Sequence, residues 1–408
     1  MPIDPKLSEP DTTPPEATPS EATPEPDTPS IDPKDAPFKV VIAGGGVAAL
    51  EGALALRDLA GKEPQITMVA PTSEFVYRPM TVREPFAYGR AERYSLAEMA
   101  SDIGLELREQ SFAWVNPAKR IAYTDDGEEL AYDALLLAVG ARIHTRFSHA
   151  YTIDDRHLDD ILHGLLQDIE GGYVKRLAFV VPARMAWQLP IYELAMMTAA
   201  RAYELGVKLA IAIVTPEESP LAIFGSGASD AVSKLLADAG IEVLASAYAE
   251  VPRWDTVVVN PDDRTLKFDR VVALPELYGP AVRGLPAAEH GFIPIDIHAK
   301  VRGVERVYAA GDATDFALKH GGISSQQADA AAEAIAALAG APIEPKPFQP
   351  IVYGMLLTGE RPRYLRAHVT GGHGFSSEVS EEPLWTPPRK IVAKYLAPYL
   401  EKLESRCA

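Results

Sequence analysis

The chain of 408 residues contains one cysteine, Cys407, next to its last residue. A single thiol excludes a disulfide framework, a Cys-x-x-Cys redox pair and a cysteine-based metal site. It also suits a reducing cytoplasm. No run of about 18 apolar residues occurs, so no transmembrane helix is expected. The beginning of the chain has no apolar stretch that would read as a secretory signal. Basic residues are in deficit: 39 Lys and Arg stand against 57 Asp and Glu, for a formal net charge of −18. That balance argues against a nucleic-acid surface. No Gly-x-Ser-x-Gly elbow is present, so a hydrolase is unsupported. His368 and His373 in "HVTGGHG" have neither the i, i+4 spacing nor the carboxylate neighbours of a zinc site, and no metal is expected.

What is present is unevenly distributed. Residues 1–37 hold eleven prolines, nine acidic and two basic side chains. Their apolar content is too low for a core, so they read as an extended, disordered tail whose removal should leave cofactor content and melting temperature nearly unchanged. From Phe38 the pattern changes. "FKVVIAGGGVAALEGALALRDLAG" reads as a buried strand, a glycine turn and a helix, and "QITMVA" as a second strand. An antiparallel meander is expected over 112–141 and a helix over 154–170. At Arg176 the alternation of strand and helix starts again. "VERVYAAGD" (304–312) and the alanine-rich "ISSQQADAAAEAIAALAG" (323–340) then supply a last strand and helix to the first unit. The expectation is an α/β protein of two Rossmann-like doubly wound domains, one inserted in the other. The first spans 38–150 and 285–345, the second 151–284, and a small C-terminal region covers 346–408.

Gly44-Gly45-Gly46-Val47-Ala48-Ala49 fits G-x-G-x-x-G/A between a clear strand and a clear helix, which is the context this motif requires. Gly44 permits the tight turn, Gly46 lets backbone approach a pyrophosphate, and Ala49 keeps helix and strand close. The end of the second strand, Val69-Ala70-Pro71, carries no carboxylate. A ribose would therefore fall to Ser73, Glu74 or backbone groups. Arg78 reads either as a phosphate or flavin-edge partner or as a solvated surface arginine.

Two strand ends complete the pattern: "LLLAVGA", with Gly140, and "VYAAGD", with Gly311 and Asp312. With these three motifs in order, residues 38–345 resemble the FAD-dependent pyridine nucleotide-disulfide oxidoreductases, whose architecture is glutathione-reductase-like. The resemblance implies FAD, with its pyrophosphate on the Gly44–Ala49 turn and Asp312 on the ribityl chain. The helix after Gly321-Gly322 would offer the N–H groups of Gly322 and Ile323 to the N1/C2=O edge of the flavin. Lys319 would either add charge there or lie in solvent.

The second unit repeats the frame without its glycines. In "FVVPARMAWQLPIYELA" (179–195), Glu193 matches a glutamate of the family's NAD(P)H motif, but bulkier residues stand in the glycine positions. Side chains there keep backbone away from a pyrophosphate. Trp187, with Gln188 and Pro190, reads either as a lid where nicotinamide would stack or as a core aromatic. Glu193 reads as a carboxylate facing flavin or substrate, or as one on the helix surface. Glu217 and Glu218 remain as ribose acids.

The resemblance is nearest to the sulfide:quinone oxidoreductase and type II NADH dehydrogenase branch, but the cysteines that attack sulfide are missing. The expected function is an FAD-dependent oxidoreductase, cytoplasmic, passing electrons from a small reductant to a quinone or another small acceptor. The alternatives are an NAD(P)H dehydrogenase with a non-standard nicotinamide site and a flavoprotein binding module without turnover. Trp187, Glu193 and Lys319 are the candidate catalytic residues. The segment "PPRKIVAKYLAPYLEKLE" has an apolar stripe from Ile391 to Leu403. It would dock on the protein's own body, on a second subunit of a homodimer, or on a membrane surface.

Overall fold

The computed structural model describes residues 37–370 and 373–407; nearly all of the proposed tail, 1–36, lies outside them. The helices are α1 (Val47–Ala60), α2 (Leu96–Ile103), α3 (Leu158–Glu170), α4 (Leu189–Glu204), α5 (Ser226–Asp238), α6 (Gly321–Leu338) and α7 (Leu396–Cys407).

A five-stranded sheet holds, in order, Val307–Ala309, Ala134–Leu137, Lys39–Ala43, Gln65–Val69 and Glu106–Arg108. All four pairings are parallel. Val40 to Ala43 and Ala134 to Leu137 are buried throughout, because helices cover both faces of a parallel sheet. Small residues let those helices close in: a Cβ on Gly52 of α1 would stand 2.7 Å from the Leu136 side chain. The expected meander is present as Phe112–Asn116, Ile121–Thr124 and Glu129–Ala131.

The second sheet is also parallel, in the order Tyr151–Thr152, Arg270–Ala273, Arg176–Val180, Ala210–Val214 and Ile241–Leu244. The two sheets are connected through an antiparallel ribbon that pairs Arg142–His144 with Glu276–Tyr278. In each sheet the strand order reverses beside a central strand, Lys39–Ala43 in the first and Arg176–Val180 in the second. Ligands of open α/β sheets bind beyond the strand ends at such a switch point.

The C-terminal region differs from its sequence pattern. Ile351–Leu356, Arg363–Thr370 and His373–Ser380 form an antiparallel sheet. That sheet packs on the second unit: a Cβ on Gly354 would meet the Phe224 ring at 2.6 Å. The apolar stripe from Ile391 is not one helix. Residues 389–395 run as a non-helical strap, and α7 begins at Leu396. Pro398 does not interrupt it, because the first turn of a helix has no use for that N–H. Ile391, Leu396 and Leu400 are buried in the core of the first unit, so the stripe docks on the protein's own body. No helix among the described residues is long and apolar enough to cross a membrane.

Candidate functional site

The turn after Lys39–Ala43 is shaped by what surrounds each glycine. Gly44 has φ of +124°, and a Cβ there would stand 2.3 Å from the Ala138 carbonyl oxygen. Gly46 differs: a Cβ on it would meet nothing within 4 Å, so its backbone faces open space. No side chain caps α1, and its first turn carries no acid. The first N–H groups of the helix therefore remain for a ligand, and the dipole favours an anion. Ala49 is fully buried. Gly140, with φ of +72°, follows the neighbouring strand.

Gly311 closes on the same turn; a Cβ there would lie 3.4 Å from Ala48 Cβ. Its N–H donates to Gln327 Oε1 at 2.8 Å, and the Thr314 hydroxyl donates to its carbonyl at 2.9 Å. This bracing holds Asp312 at the strand end. Asp312 is half-buried, and no hydrogen bond or ion pair to another described residue engages its carboxylate. Burial pushes that carboxyl up, Lys319 opposes the shift, and Asp155 adds to it. A half-buried carboxylate without a donor suits a polyol, whose hydroxyls would supply the missing hydrogen bonds.

Arg78 is committed to Asp155 at 3.2 Å. The pair lines a cavity of about 750 Å³ between residues 76–93 and 155–163. Burial raises the Asp155 carboxyl and Arg78 opposes the shift.

Lys319 is buried rather than solvated. Its Nζ donates to the carbonyls of Thr314 and Phe316 and lies 4.0 Å over the Phe292 ring. It clasps the loop before α6. Burial pushes its ammonium group down to about 8, against the pull of Asp312 and Asp315. The Ile323 side chain lies in the second core, so only its backbone could face a cofactor. A Cβ on Gly322 would meet the His320 ring at 2.9 Å.

In the second frame, side chains close the turn. Arg184 reaches Glu276 at 3.5 Å and His290 Nε2 at 2.6 Å. Gln188 Nε2 donates to the Met185 carbonyl at 2.9 Å. The Trp187 ring is half-buried, 4.4 Å from His320 and 5.9 Å from Phe224. Glu217, the candidate ribose acid, accepts from Tyr192 Oη at 2.5 Å and from Thr215 Oγ1 at 3.0 Å, which occupies it internally.

Glu193 is fully buried rather than on the helix surface. It accepts from Lys390 Nζ at 2.7 Å and from the Leu357 N–H at 3.0 Å. Both oxygens are thereby taken up by the C-terminal region. Burial raises the Glu193 carboxyl and Lys390 opposes the shift. Lys390 also donates to the Pro79 carbonyl at 2.8 Å, tying α4 to the loop that carries Arg78. Sequence reasoning passed over Lys390; the one signal was a lysine inside an apolar run. It also set aside His320, whose Nδ1 is buried without a partner and which burial and Lys390 push down to about 4.

Two groups of residues stand out. Gly44, Gly46, Ala49, Gly311 and Asp312 converge on the first switch point. Trp187, Gly322 and His320 meet where α6 faces the closed turn, and Lys390 links them to Glu193. Among the described residues, no group of three His, Cys, Asp or Glu side chains could hold a metal ion.

Residues 38–160 match the family described as pyridine nucleotide-disulphide oxidoreductase. The sulfide:quinone oxidoreductase from the hyperthermophilic bacterium Aquifex aeolicus superposes with a TM-score of 0.74 at 17% identity, covering 90% of each chain. A ferredoxin reductase from Rhodopseudomonas palustris does so with 0.62 at 19% identity, over 82% of this chain and 83% of that one. The putidaredoxin reductase–putidaredoxin complex gives 0.60 at 17%, over 83% of both chains. At these identities the likeness is one of fold. The chain has the fold of the pyridine nucleotide-disulfide oxidoreductase superfamily, and it has no pair of cysteines. Family match and fold both point to FAD.

Proposed function

We propose that this protein is an FAD-dependent oxidoreductase that takes electrons from a small donor other than NAD(P)H and passes them to a small acceptor, without a redox disulfide. The observation that carries this reading is the contrast between its two turns. One leaves Gly46 open beside an unpartnered Asp312; at the other, Arg184, Trp187 and Gln188 stand where the glycines would be. Gly46 and the first N–H groups of α1 would hold the pyrophosphate, and Asp312 the ribityl hydroxyls. The start of α6 would face the pyrimidine edge, where a helix N-terminus favours negative charge. Bound there, the flavin would supply a two-electron redox centre. Lys319 would act as a positioning residue by fixing the loop that leads into α6. The acceptor, a quinone or another small oxidant, would use the cavity beside Arg78 and Asp155.

Stopped-flow reduction tests the choice of donor. NADH and NADPH are expected to bind weakly and to reduce the flavin slowly. Micromolar affinity with fast hydride transfer would replace this reading with a non-standard NAD(P)H dehydrogenase. If no reductant works, the flavoprotein binding module is the better reading. Trp187→Ala is expected to raise reactivity toward small reductants or oxygen by about tenfold, as a ring that shields one face is removed. Asp312→Asn is expected to weaken flavin binding by about 10- to 100-fold, the range for hydrogen bonds to a charged group. Titration of flavin into deflavinated protein checks it; unchanged affinity would remove Asp312 from the site.

A further inference from the structure

Within the strap, Ile391 and Val392 lie against the first turn of α6. A Cβ on Gly321 would stand 2.8 Å from the Ile391 side chain, and one on Gly322 would stand 3.5 Å from the Val392 carbonyl oxygen. One end of this strap is pinned by Lys390 and by the Ile391 N–H, which donates to Tyr77 Oη at 2.7 Å. The other end is held by Glu51 of α1, fully buried. Glu51 accepts from the N–H groups of Tyr395 and Leu396 at 3.0 and 2.5 Å. These belong to the unpaired donors at the start of α7, so a different helix supplies the cap.

Asp329 of α6 and Glu51 act on each other's ionisation, and burial raises both carboxyl groups. Asp329 Oδ1 is buried with no hydrogen-bond partner. Two buried carboxyl groups that repel one another when both are ionised keep one proton on the pair. Lys394 on the strap and Glu333 on α6 act electrostatically on Asp329. Lys394 Nζ lies 4.7 Å over the Tyr395 ring, and Asp58 of α1 acts on Tyr395. Lys394 thus faces two acids, Asp329 and Glu333, and the Tyr395 phenol.

We propose that the proton shared by Glu51 and Asp329 latches the strap over the start of α6, and that its loss to water at alkaline pH loosens residues 389–396 and opens that end of the helix. Burial, then the charge on Glu51, pushes the Asp329 carboxyl up to about 8. An aspartate in the unfolded chain ionises near 4. The folded state therefore keeps a proton that the unfolded state releases. The associated stability is intact below about 4 and is lost as pH rises through about 8. The latch does not depend on which ligand the site takes.

Hydrogen–deuterium exchange of the full chain, at pH 7 and pH 9 and corrected for intrinsic exchange, reads the strap directly. Protection of the Tyr395 and Leu396 amides is expected to fall by about tenfold across that interval, the limit for one proton over one unit above its pKa. Asp329→Asn can still donate to Glu51 but does not titrate, so its protection should be the same at both pH values. Lys394→Met removes the one opposing cation and should move the transition to higher pH. Equal protection of the unmodified protein at both pH values would overturn the latch. So would the same fall in Asp329→Asn, or an unmoved transition in Lys394→Met.

Discussion

Gly46→Val is expected to abolish flavin binding while leaving the polypeptide folded. The two effects separate because the space beside Gly46 is empty of protein: a Cβ there meets nothing within 4 Å. The backbone at Gly46, φ −92° and ψ −167°, is extended, a conformation that valine adopts readily. The penalty to the fold should stay near 1 kcal/mol, since valine is only a poorer residue before a helix than glycine. The penalty to binding is larger. The valine methyl groups would stand where the pyrophosphate must approach the backbone and the N–H groups of α1. A loss of at least about 100-fold, or about 3 kcal/mol, is expected. Gly44→Val provides the contrast, because its Cβ would strike the Ala138 carbonyl and harm the fold itself. Flavin content by absorbance, the mass of the released cofactor and the melting temperature of the flavin-free protein decide together. Full FAD content in Gly46→Val would remove this turn from the cofactor site, and release of FMN alone would remove the pyrophosphate from the reading.

The second large effect is expected at Lys390. Lys390→Met should destabilise the protein by about 3–5 kcal/mol, the range for removing one member of a buried ion pair. It leaves Glu193 fully buried, with only the Leu357 N–H as a donor. Lys390→Met combined with Glu193→Gln should recover most of the loss, because no uncompensated charge remains. The single variant should also change its pH dependence. Without the ammonium group, only the Leu357 N–H opposes burial, and the Glu193 carboxyl rises further. The folded state then holds a proton that the unfolded state gives up above about 4. The penalty should therefore be small in acid and grow as pH rises through the raised folded value. Denaturant midpoints of the four proteins of the cycle, at pH 5 and pH 7, measure this. A penalty under about 1 kcal/mol for Lys390→Met would show that water reaches Glu193 and that the pair behaves as a surface contact.

Some of this protein could be read along the chain and some could not. The glycine turn at 44–46, the strand ends at Gly140 and Gly311, and the restart of the strand–helix alternation at Arg176 were legible. Each is a local pattern: a strand is a run of apolar residues, and a turn is set by which residues tolerate its dihedral angles and close contacts. The loss of glycine in the second frame was legible for the same reason. The partners of the charged residues were not. Lys390 and Glu193 are 197 positions apart, and Glu51 reaches amides 344 and 345 positions away. Periodicity assigns a residue to a helix or a strand and says nothing about which distant element will face it. Thus Lys319 read as a site lysine or a solvated one and is a loop clasp. Glu193 read as a site acid or a surface acid and is half of a buried pair. The stripe from Ile391 read as one helix and is a strap followed by a helix. Sequence alone determined the two frames, the open first turn and the absence of a thiol pair, because those depend on residue type at short spacing. Tertiary structure decided which charges are available for chemistry, because burial and pairing are properties of the space between elements.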